Sequence, residues 1–121
     1  MKRILYLLRQ SPGEFLKSLE TLQSAVVSSI FEQKVSLLFR DEGVRQLIAN
    51  PRGELAPAAA AETWQTTLAE ADSYGITDIY ACEGSLAIRK ISVDDLLVPV
   101  QTLSEADQTA LISSHDVVLS D

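Results

Sequence analysis

The fold is decided by residues 77–89, which have the sequence TDIYACEGSLAIR. The apolar and β-favouring residues in the first half of this stretch are typical of a short buried strand. Leu86 and Ile88 then continue in a run that can wind as a helix. In an open α/β sheet, ligands and chemistry collect beyond the carboxyl ends of the strands. We therefore expect the chemistry of this chain to depend on Cys82, which lies at the junction of the two elements.

Strand and helix patterns alternate along the rest of the chain. Continuous apolar runs predict buried strands at 4–8 and 35–39, and a last strand at 115–121. Residues 98–103 are extended, and Pro99 indicates an edge strand or a segment outside the sheet. Helices are predicted from Glu14 to Phe31, over 44–49, from the alanine run at 58–61 to Tyr74, and from Ser104 to Ser114, with Ser104 and Gly75 as caps. This order predicts an α/β protein with a mainly parallel sheet.

Composition narrows the class of protein. The 121 residues suit one domain over 1–121, and the net charge of -7 comes from 17 acidic and 10 basic residues. Such a charge argues against direct binding of nucleic acid or an anionic membrane. The apolar run at 4–8 is too short for a signal peptide, and no stretch approaches a membrane span. Because a single cysteine fits a reducing compartment, we expect a cytoplasmic protein.

Cys82 has two interpretations. It can be a nucleophilic thiol that accepts a sulfur atom as a persulfide and passes it on, by the same attack on sulfur as in thiol–disulfide exchange. It can equally be a small buried hydrophobe, because free cysteine is among the most buried residue types. Backbone N–H groups at a helix start would lower the thiol pKa, whereas the neighbouring Glu83 counts against a strongly lowered one.

The other candidate residues have simpler structural interpretations. His115, the only histidine, could be a general base or a pH switch, but a hydrogen-bonded structural residue is favoured. The loop at 10–13 follows the first strand, yet it lacks the glycine pattern and the lysine of nucleotide-binding loops. The acidic pairs at 41–42 and 94–95 are explained by solvated loops. One cysteine and one histidine fall short of a zinc site, and the sequence predicts no metal and no cofactor.

Apolar residues are more numerous than one small sheet needs. Trp64, Leu68, Tyr74 and the alanine run at 58–61 could form an exposed subunit interface or ordinary core. The predicted first helix carries one apolar stripe, formed by Phe15, Leu16, Leu19, Leu22, Val26, Val27, Ile30 and Phe31.

Several segments together resemble a known family. They are residues 1–6, the Ser11-Pro12-Gly13 loop, residues 34–47 with an F-x-D-x-G-V-x-Q-L pattern, Cys82-Glu83-Gly84-Ser85-Leu86, and residues 115–119. In these segments the chain resembles the TusC/DsrF subunits of the DsrE-like sulfur-relay family, nearly from end to end. The resemblance implies a flavodoxin-like three-layer α/β sandwich with a sheet of about five strands.

The resemblance also implies partners. It implies a heterohexamer with two copies each of B-, C- and D-type chains (TusB-, TusC- and TusD-like), an upstream persulfide carrier and a downstream sulfur acceptor protein. The TusBCD branch relays persulfide sulfur toward 2-thiolation of the tRNA wobble uridine, and the DsrEFH branch serves oxidation of stored sulfur. Cys82 falls where the catalytic D/E-type subunit carries its sulfur-accepting cysteine, but in C/F-type chains the main relay residue is on the partner.

We therefore expect a sulfurtransferase complex subunit of the TusC type, with Cys82 as a candidate persulfide carrier. The alternative is a non-catalytic structural subunit of a DsrEFH-type complex, whose cysteine only fills space. A third interpretation, a small nucleotide- or flavin-binding module, is disfavoured by the first loop. The sequence leaves the choice between tRNA thiolation and sulfur oxidation open.

Overall fold

The computed structural model describes residues 1–48 and 58–121, and within these ranges the chain forms one five-stranded sheet. The strand order is β4-β3-β2-β1-β5, and every neighbouring pair is parallel. The strands are β1 (Arg3–Leu8), β2 (Lys34–Phe39), β3 (Asp78–Cys82), β4 (Gln101–Leu103) and β5 (Val117–Ser120). The predicted α/β class with a parallel sheet is confirmed, and the segment that contains Pro99 leads into an edge strand, β4, as expected.

Helices connect the strands. They are α1 (Phe15–Ile30), α2 (Ala58–Ala69), α3 (Glu83–Ile88) and α4 (Glu105–Ser113). Ser104 caps α4 as predicted, because its hydroxyl accepts the backbone N–H of Asp107 at 3.2 Å. Gly75 ends the helical stretch after α2 with φ of 95°, a left-handed conformation that favours glycine. None of the helices in the described ranges is long and apolar enough to cross a membrane.

One face of the sheet carries the apolar core. Alternate residues of β1, β2 and β3 point toward α1 and α2, so that their side chains pack between sheet and helices. Phe39 and Trp64 meet there edge to face, with ring centroids 6.3 Å apart. The buried side chains of this core include Tyr6, Leu8, Leu22, Val35, Leu37, Phe39, Val44, Leu47, Trp64, Leu68, Ile76, Ile79 and Leu86.

The opposite face is covered by α4. Ser36, whose side chain points away from the core of α1 and α2, contacts His115 just after α4. Cys82 contacts Glu105 at the start of the same helix. Because α1 and α2 lie on one side of the sheet and α4 on the other, the molecule has the three layers that the family resemblance implied.

The predicted helix at 44–49 has a different form. The structure has a 3₁₀ helix at Asp41–Leu47, which begins three residues earlier than predicted. Gly43 passes so close to β1 that a Cβ there would lie 1.8 Å from the carbonyl oxygen of Leu8. This close approach to β1 therefore requires a glycine, and the pattern of apolar residues does not reveal it. The predicted end of this helix and the connection up to Pro57 lie outside the described residues, which resume at residue 58.

The structure decides between the two alternatives for the surplus apolar residues. Trp64 and Leu68 belong to the core, whereas Tyr74 is exposed. The stripe of α1 is buried at Leu22 but leaves apolar side chains in solvent, with Phe31 exposed by 71%. We call these exposed residues, Leu16, Val27, Ile30 and Phe31, the α1 patch. The helix is thus more apolar than packing against the sheet and α2 requires.

Candidate functional site

Cys82 ends β3 and directly precedes α3, as the sequence predicts. Its extended backbone (φ -69°, ψ 118°) turns the side chain back over the first turn of α3. The backbone N–H of Ser85 donates to the sulfur atom at 3.4 Å. The residue is only 3% exposed, so an incoming sulfur donor reaches the thiol only if neighbouring side chains move.

A carboxylate from another element lies beside the thiol. Glu105, the first residue of α4, places Oε1 3.8 Å from Sγ of Cys82 and accepts a hydrogen bond from the thiol. Its other oxygen, Oε2, lies 3.6 Å from Nη2 of Arg40, which follows β2. Since the carboxyl ends of β2, β3 and β4 are adjacent in the sheet, the three side chains meet at one edge.

The surroundings of Cys82 act on its pKa in opposite directions. Burial, the largest single influence, raises the pKa, and the charge of Glu105 raises it further. Hydrogen bonds from the side chains of Ser85 and Gln108 and from the Ser85 backbone N–H stabilise the thiolate and lower the pKa. The lowering influences together prevail, and the pKa of Cys82 lies below its ordinary value.

Glu105, Arg40 and Gln108 were not singled out from the sequence. The prediction assigned the opposing carboxylate to Glu83, whereas the carboxylate that contacts the sulfur is Glu105. A usable signal was present, because Ser104 predicts the start of a helix directly after an extended segment. If the extended segment 98–103 is placed as the edge strand beside β3, the helix that begins after Ser104 starts next to Cys82.

Gln108 has a buried amide with one unpartnered atom. The side chain is 1% exposed, and Nε2 donates to the carbonyl of Leu103 at 3.1 Å. This bond fixes the orientation of the amide, so that Oε1 is left without a hydrogen-bond partner among the residues that the structure describes. In folded proteins the large majority of buried polar atoms are hydrogen-bonded, so an unpartnered one beside a thiol calls for an explanation.

His115 lies at the other end of the sheet. Its Nδ1 is 2.8 Å from the carbonyl oxygen of Leu111, and its Nε2 is 3.1 Å from the hydroxyl of Ser36. Both ring nitrogens are therefore engaged, and no hydrogen bond joins His115 to Cys82 within the described ranges. The histidine has the hydrogen-bonded position that its structural interpretation predicts, and the pair forms no catalytic dyad.

The first loop and the acidic pair at 41–42 are held by protein groups. The side-chain amide of Gln46 donates to the carbonyl of Ser11 at 3.1 Å, which fixes the loop. Asp41 pairs with Arg9 at 2.8 Å, and Glu42 pairs with Arg45 and Arg89. Both carboxylates remain partly exposed, as expected of a solvated loop, and they are also paired with arginines. In the described part of the chain, no group of three or more metal-ligating side chains is gathered, and the absence of a metal stays a prediction.

Comparison with known proteins gives the same assignment as the resemblance in the sequence. The model of the DsrE/DsrF-like family matches residues 2–120. A "Protein TusC homolog" of Vibrio vulnificus is 25% identical over 120 residues, which is 99% of both chains. The "Intracellular sulfur oxidation protein DsrF" of Allochromatium vinosum is 30% identical over 97 residues, which is 80% of this chain and 69% of that one.

Solved structures share the fold. The crystal structure of the ychN protein from E. coli superposes with a TM-score of 0.77 at 18% identity, with 100% of both chains covered. A protein from Methanobacterium thermoautotrophicum, MTH1491, superposes with a TM-score of 0.70 at 13% identity, again over both whole chains. At these identities the likeness concerns the fold alone, whereas the family match also rests on the sequence. The chain therefore belongs to the DsrE/DsrF-like family, whose members include proteins named for TusC and DsrF.

Proposed function

We propose that this chain is a TusC-like subunit of a cytoplasmic sulfur-relay complex, with Cys82 as a persulfide carrier in the relay toward 2-thiolation of the tRNA wobble uridine. The TusC branch is favoured because the likeness to a TusC homolog spans 99% of both chains, whereas the likeness to DsrF spans 69% of that protein. The single observation that supports a role for Cys82 is the contact at the carboxyl edge of the sheet in which the Ser85 backbone N–H donates to its sulfur at 3.4 Å, and this contact helps to lower the pKa of Cys82.

The proposed sulfur transfer requires the thiolate form of Cys82 and groups that stabilise this form. Only the thiolate is the effective nucleophile toward a sulfane sulfur. The Ser85 N–H and the Gln108 side chain stabilise that form in this structure. In the proposed transfer, the sulfur of Cys82 bonds to the outer sulfur of a donor persulfide, the donor S–S bond breaks, and the donor leaves as a thiol.

The proposal includes partners. The chain would assemble as one domain with TusB-like and TusD-like chains, and the principal relay cysteine would be on the TusD-like chain. The α1 patch supports an assembled state, because apolar side chains in solvent are typical of surfaces that a partner covers. An upstream persulfide carrier would supply the sulfur and a downstream protein would accept it. The net charge of -7 supports a role without direct contact to tRNA.

A second candidate function is that of a non-catalytic structural subunit in a DsrEFH-type sulfur-oxidation complex. The 30% identity to DsrF and the near-complete burial of Cys82 favour it. In that case the thiol only fills space beneath α4.

The test is the intact mass of the purified chain after incubation with a persulfide donor, with and without a TusD-like partner. A gain of one sulfur atom by the wild type, absent in Cys82→Ser, is the expected result, and the single cysteine makes the variant an unambiguous control. Sulfur that appears only on the partner would reject the carrier role and favour the structural function. If Cys82 does carry sulfur, loss of tRNA thiolation in cells with Cys82→Ser would assign the chain to the TusC branch and not to the DsrF branch.

A further inference from the structure

Glu105 bridges the thiol and a cation although its own side chain is largely in solvent. The carboxylate is 75% exposed, yet one oxygen lies 3.8 Å from Sγ of Cys82 and the other 3.6 Å from Arg40. Arg40 is much less exposed and its Nε has no hydrogen-bond partner among the described residues. The exposed carboxylate is thus held over a buried sulfur by a partly buried guanidinium.

Polar groups other than Glu105 also surround the sulfur of Cys82. The Gln108 side chain is buried, it lowers the pKa of Cys82, and its Oε1 is unpartnered in the described part of the chain. A buried amide oxygen without a partner is an acceptor that a bound group with a donor can satisfy. Ser85 supplies donors on the other side of the thiol.

We propose that Glu105, positioned by Arg40, is the catalytic acid–base group that takes the proton of Cys82 and returns it to the departing thiol during sulfur transfer. The substrate class, a persulfide, rests on the function proposed above. The geometry supports this proton path, because Glu105 is the carboxylate that contacts the sulfur. Its side chain is largely exposed, so it can also reach a departing thiol outside the protein surface.

The proposed step balances without an oxidant or a reductant. The Cys82 thiol gives its proton to Glu105 as its sulfur bonds to the sulfane sulfur of R–S–SH. The electron pair of the donor S–S bond leaves with R–S, which takes the proton from Glu105 and departs as R–SH. Cys82 ends as a persulfide, and Glu105 ends as the carboxylate that pairs with Arg40.

Other charged groups near the thiol are less suited to the proton transfer. Arg40 and Asp41 follow β2, where Arg40 contacts Glu105, and Glu83 is the first residue of α3. Asp41 is held by Arg9 at 2.8 Å, and no hydrogen bond to the sulfur is formed by Glu83 in the described ranges. Arg40 cannot accept a proton at neutral pH, because guanidinium groups remain charged.

The test compares two disulfide reagents on the full chain, one with an aryl leaving group and one with an alkyl leaving group of similar size. An aryl thiolate of low pKa leaves without help, whereas an alkyl thiolate leaves faster when an acid protonates it. In Glu105→Gln we expect the alkyl-to-aryl rate ratio to fall by about 100-fold, which is the lower end of the range for an acid–base group. Glu83→Gln is the matched control and should keep the wild-type ratio.

The pH profile of thiol alkylation separates proton transfer by Glu105 from the effect of removing its charge. Because the charge of Glu105 raises the pKa of Cys82, Glu105→Gln should shift the pH profile of alkylation to lower pH. If charge alone mattered, every reaction of the thiol at neutral pH would become faster in this variant. An unchanged alkyl-to-aryl ratio would overturn the proposal, and so would a wild-type thiol that reacts with neither reagent.

Failure of this inference is distinguishable from failure of the proposed function. If the wild type takes no sulfur from glutathione persulfide but Glu105→Gln still lowers the alkyl-to-aryl ratio, the carrier role is wrong and the acid–base role stands. If the wild type takes sulfur and Glu105→Gln takes it equally fast, with an unchanged ratio, the carrier role stands and the role of Glu105 is wrong.

Discussion

The two faces of the sheet differ in how their buried polar groups are bonded. On the side of α1 and α2, apolar side chains such as Phe39 and Leu37 form the core, and the buried polar pair Ser18 and Gln46 is joined by a hydrogen bond of 3.0 Å. The face toward α4 also buries leucines, but its polar groups, Ser36, Gln108 and the thiol of Cys82, include one atom, Oε1 of Gln108, without a partner among the described residues. Buried polar groups lower stability unless they are hydrogen-bonded, so this unpartnered oxygen is a cost to stability on the second face.

The difference indicates a division of roles within one small sheet. On the first face, removal of a side chain leaves a cavity, and the consequence is a loss of stability. On the second face, the hydrogen bonds of Ser85 and Gln108 act on the protonation of one sulfur atom. Substitutions of the apolar residues on the first face should therefore change the free energy of unfolding, and substitutions of the polar groups around Cys82 should change thiol chemistry.

The largest effect is expected at Phe39, which is fully buried against Trp64. Phe39→Ala should lower the free energy of unfolding by about 3–5 kcal/mol, because the substitution leaves a cavity and removes an aromatic pair. Urea titration followed by tryptophan fluorescence measures it. Phe31→Ala, at a residue that is 71% exposed, is the control and should stay within about 0.5 kcal/mol of wild type. Equal losses in both variants would contradict the assignment of the core.

A smaller loss is expected at Gly43, which lies in the 3₁₀ helix that follows Arg40. Gly43→Ala forces a Cβ against the Leu8 carbonyl, and we expect a loss of about 1–3 kcal/mol in the free energy of unfolding. The matched change is Gly84→Ala in α3, where a Cβ meets nothing within 4 Å. That variant should be neutral or stabilised by about 0.5–1 kcal/mol, because alanine favours a helix. Thermal unfolding of the two variants side by side measures the cost of the close approach at Gly43, and equal melting temperatures would contradict it.

The smallest change in stability, and a clear change in chemistry, is expected at Ser85. Its hydroxyl accepts the backbone N–H of Asp41 at 2.9 Å and helps to lower the pKa of Cys82. Ser85→Ala should raise that pKa and shift the pH profile of alkylation by iodoacetamide to higher pH. Ser92→Ala is the control, since its hydroxyl accepts the N–H of Asp94 instead.

The sign of the pH dependence follows from linkage. Because the pKa of Cys82 is lower in the folded chain, the unfolded chain binds more protons between the two pKa values. The free energy of unfolding should therefore rise with pH across that window, and this contribution is lost as pH falls through the folded pKa. Ser85→Ala should flatten the rise. An equally steep rise in Ser85→Ala would show that Ser85 does not stabilise the thiolate.

Much of the fold was predictable because it depends on local patterns. The apolar runs of β1 and β2, the N-cap Ser104 and the cap Gly75 act through near neighbours in sequence, and all four predictions are confirmed. The 3₁₀ form of Asp41–Leu47 was missed, because it depends on the contact between Gly43 and β1. The exposure of the α1 patch was missed for the same reason, since a periodic stripe does not reveal what covers it.

The sequence by itself determined the alternation of strands and helices along the chain, the position of Cys82 at the end of a strand, and the family. Only the tertiary structure decided which groups surround the sulfur. Glu105 is 23 residues from Cys82 along the chain, and Arg40 belongs to an earlier strand's end. Parallel strands bring their carboxyl ends to one edge whatever their separation in sequence, so the neighbours of a thiol at that edge are set by strand order. The pKa of Cys82 is thus a property of the folded sheet.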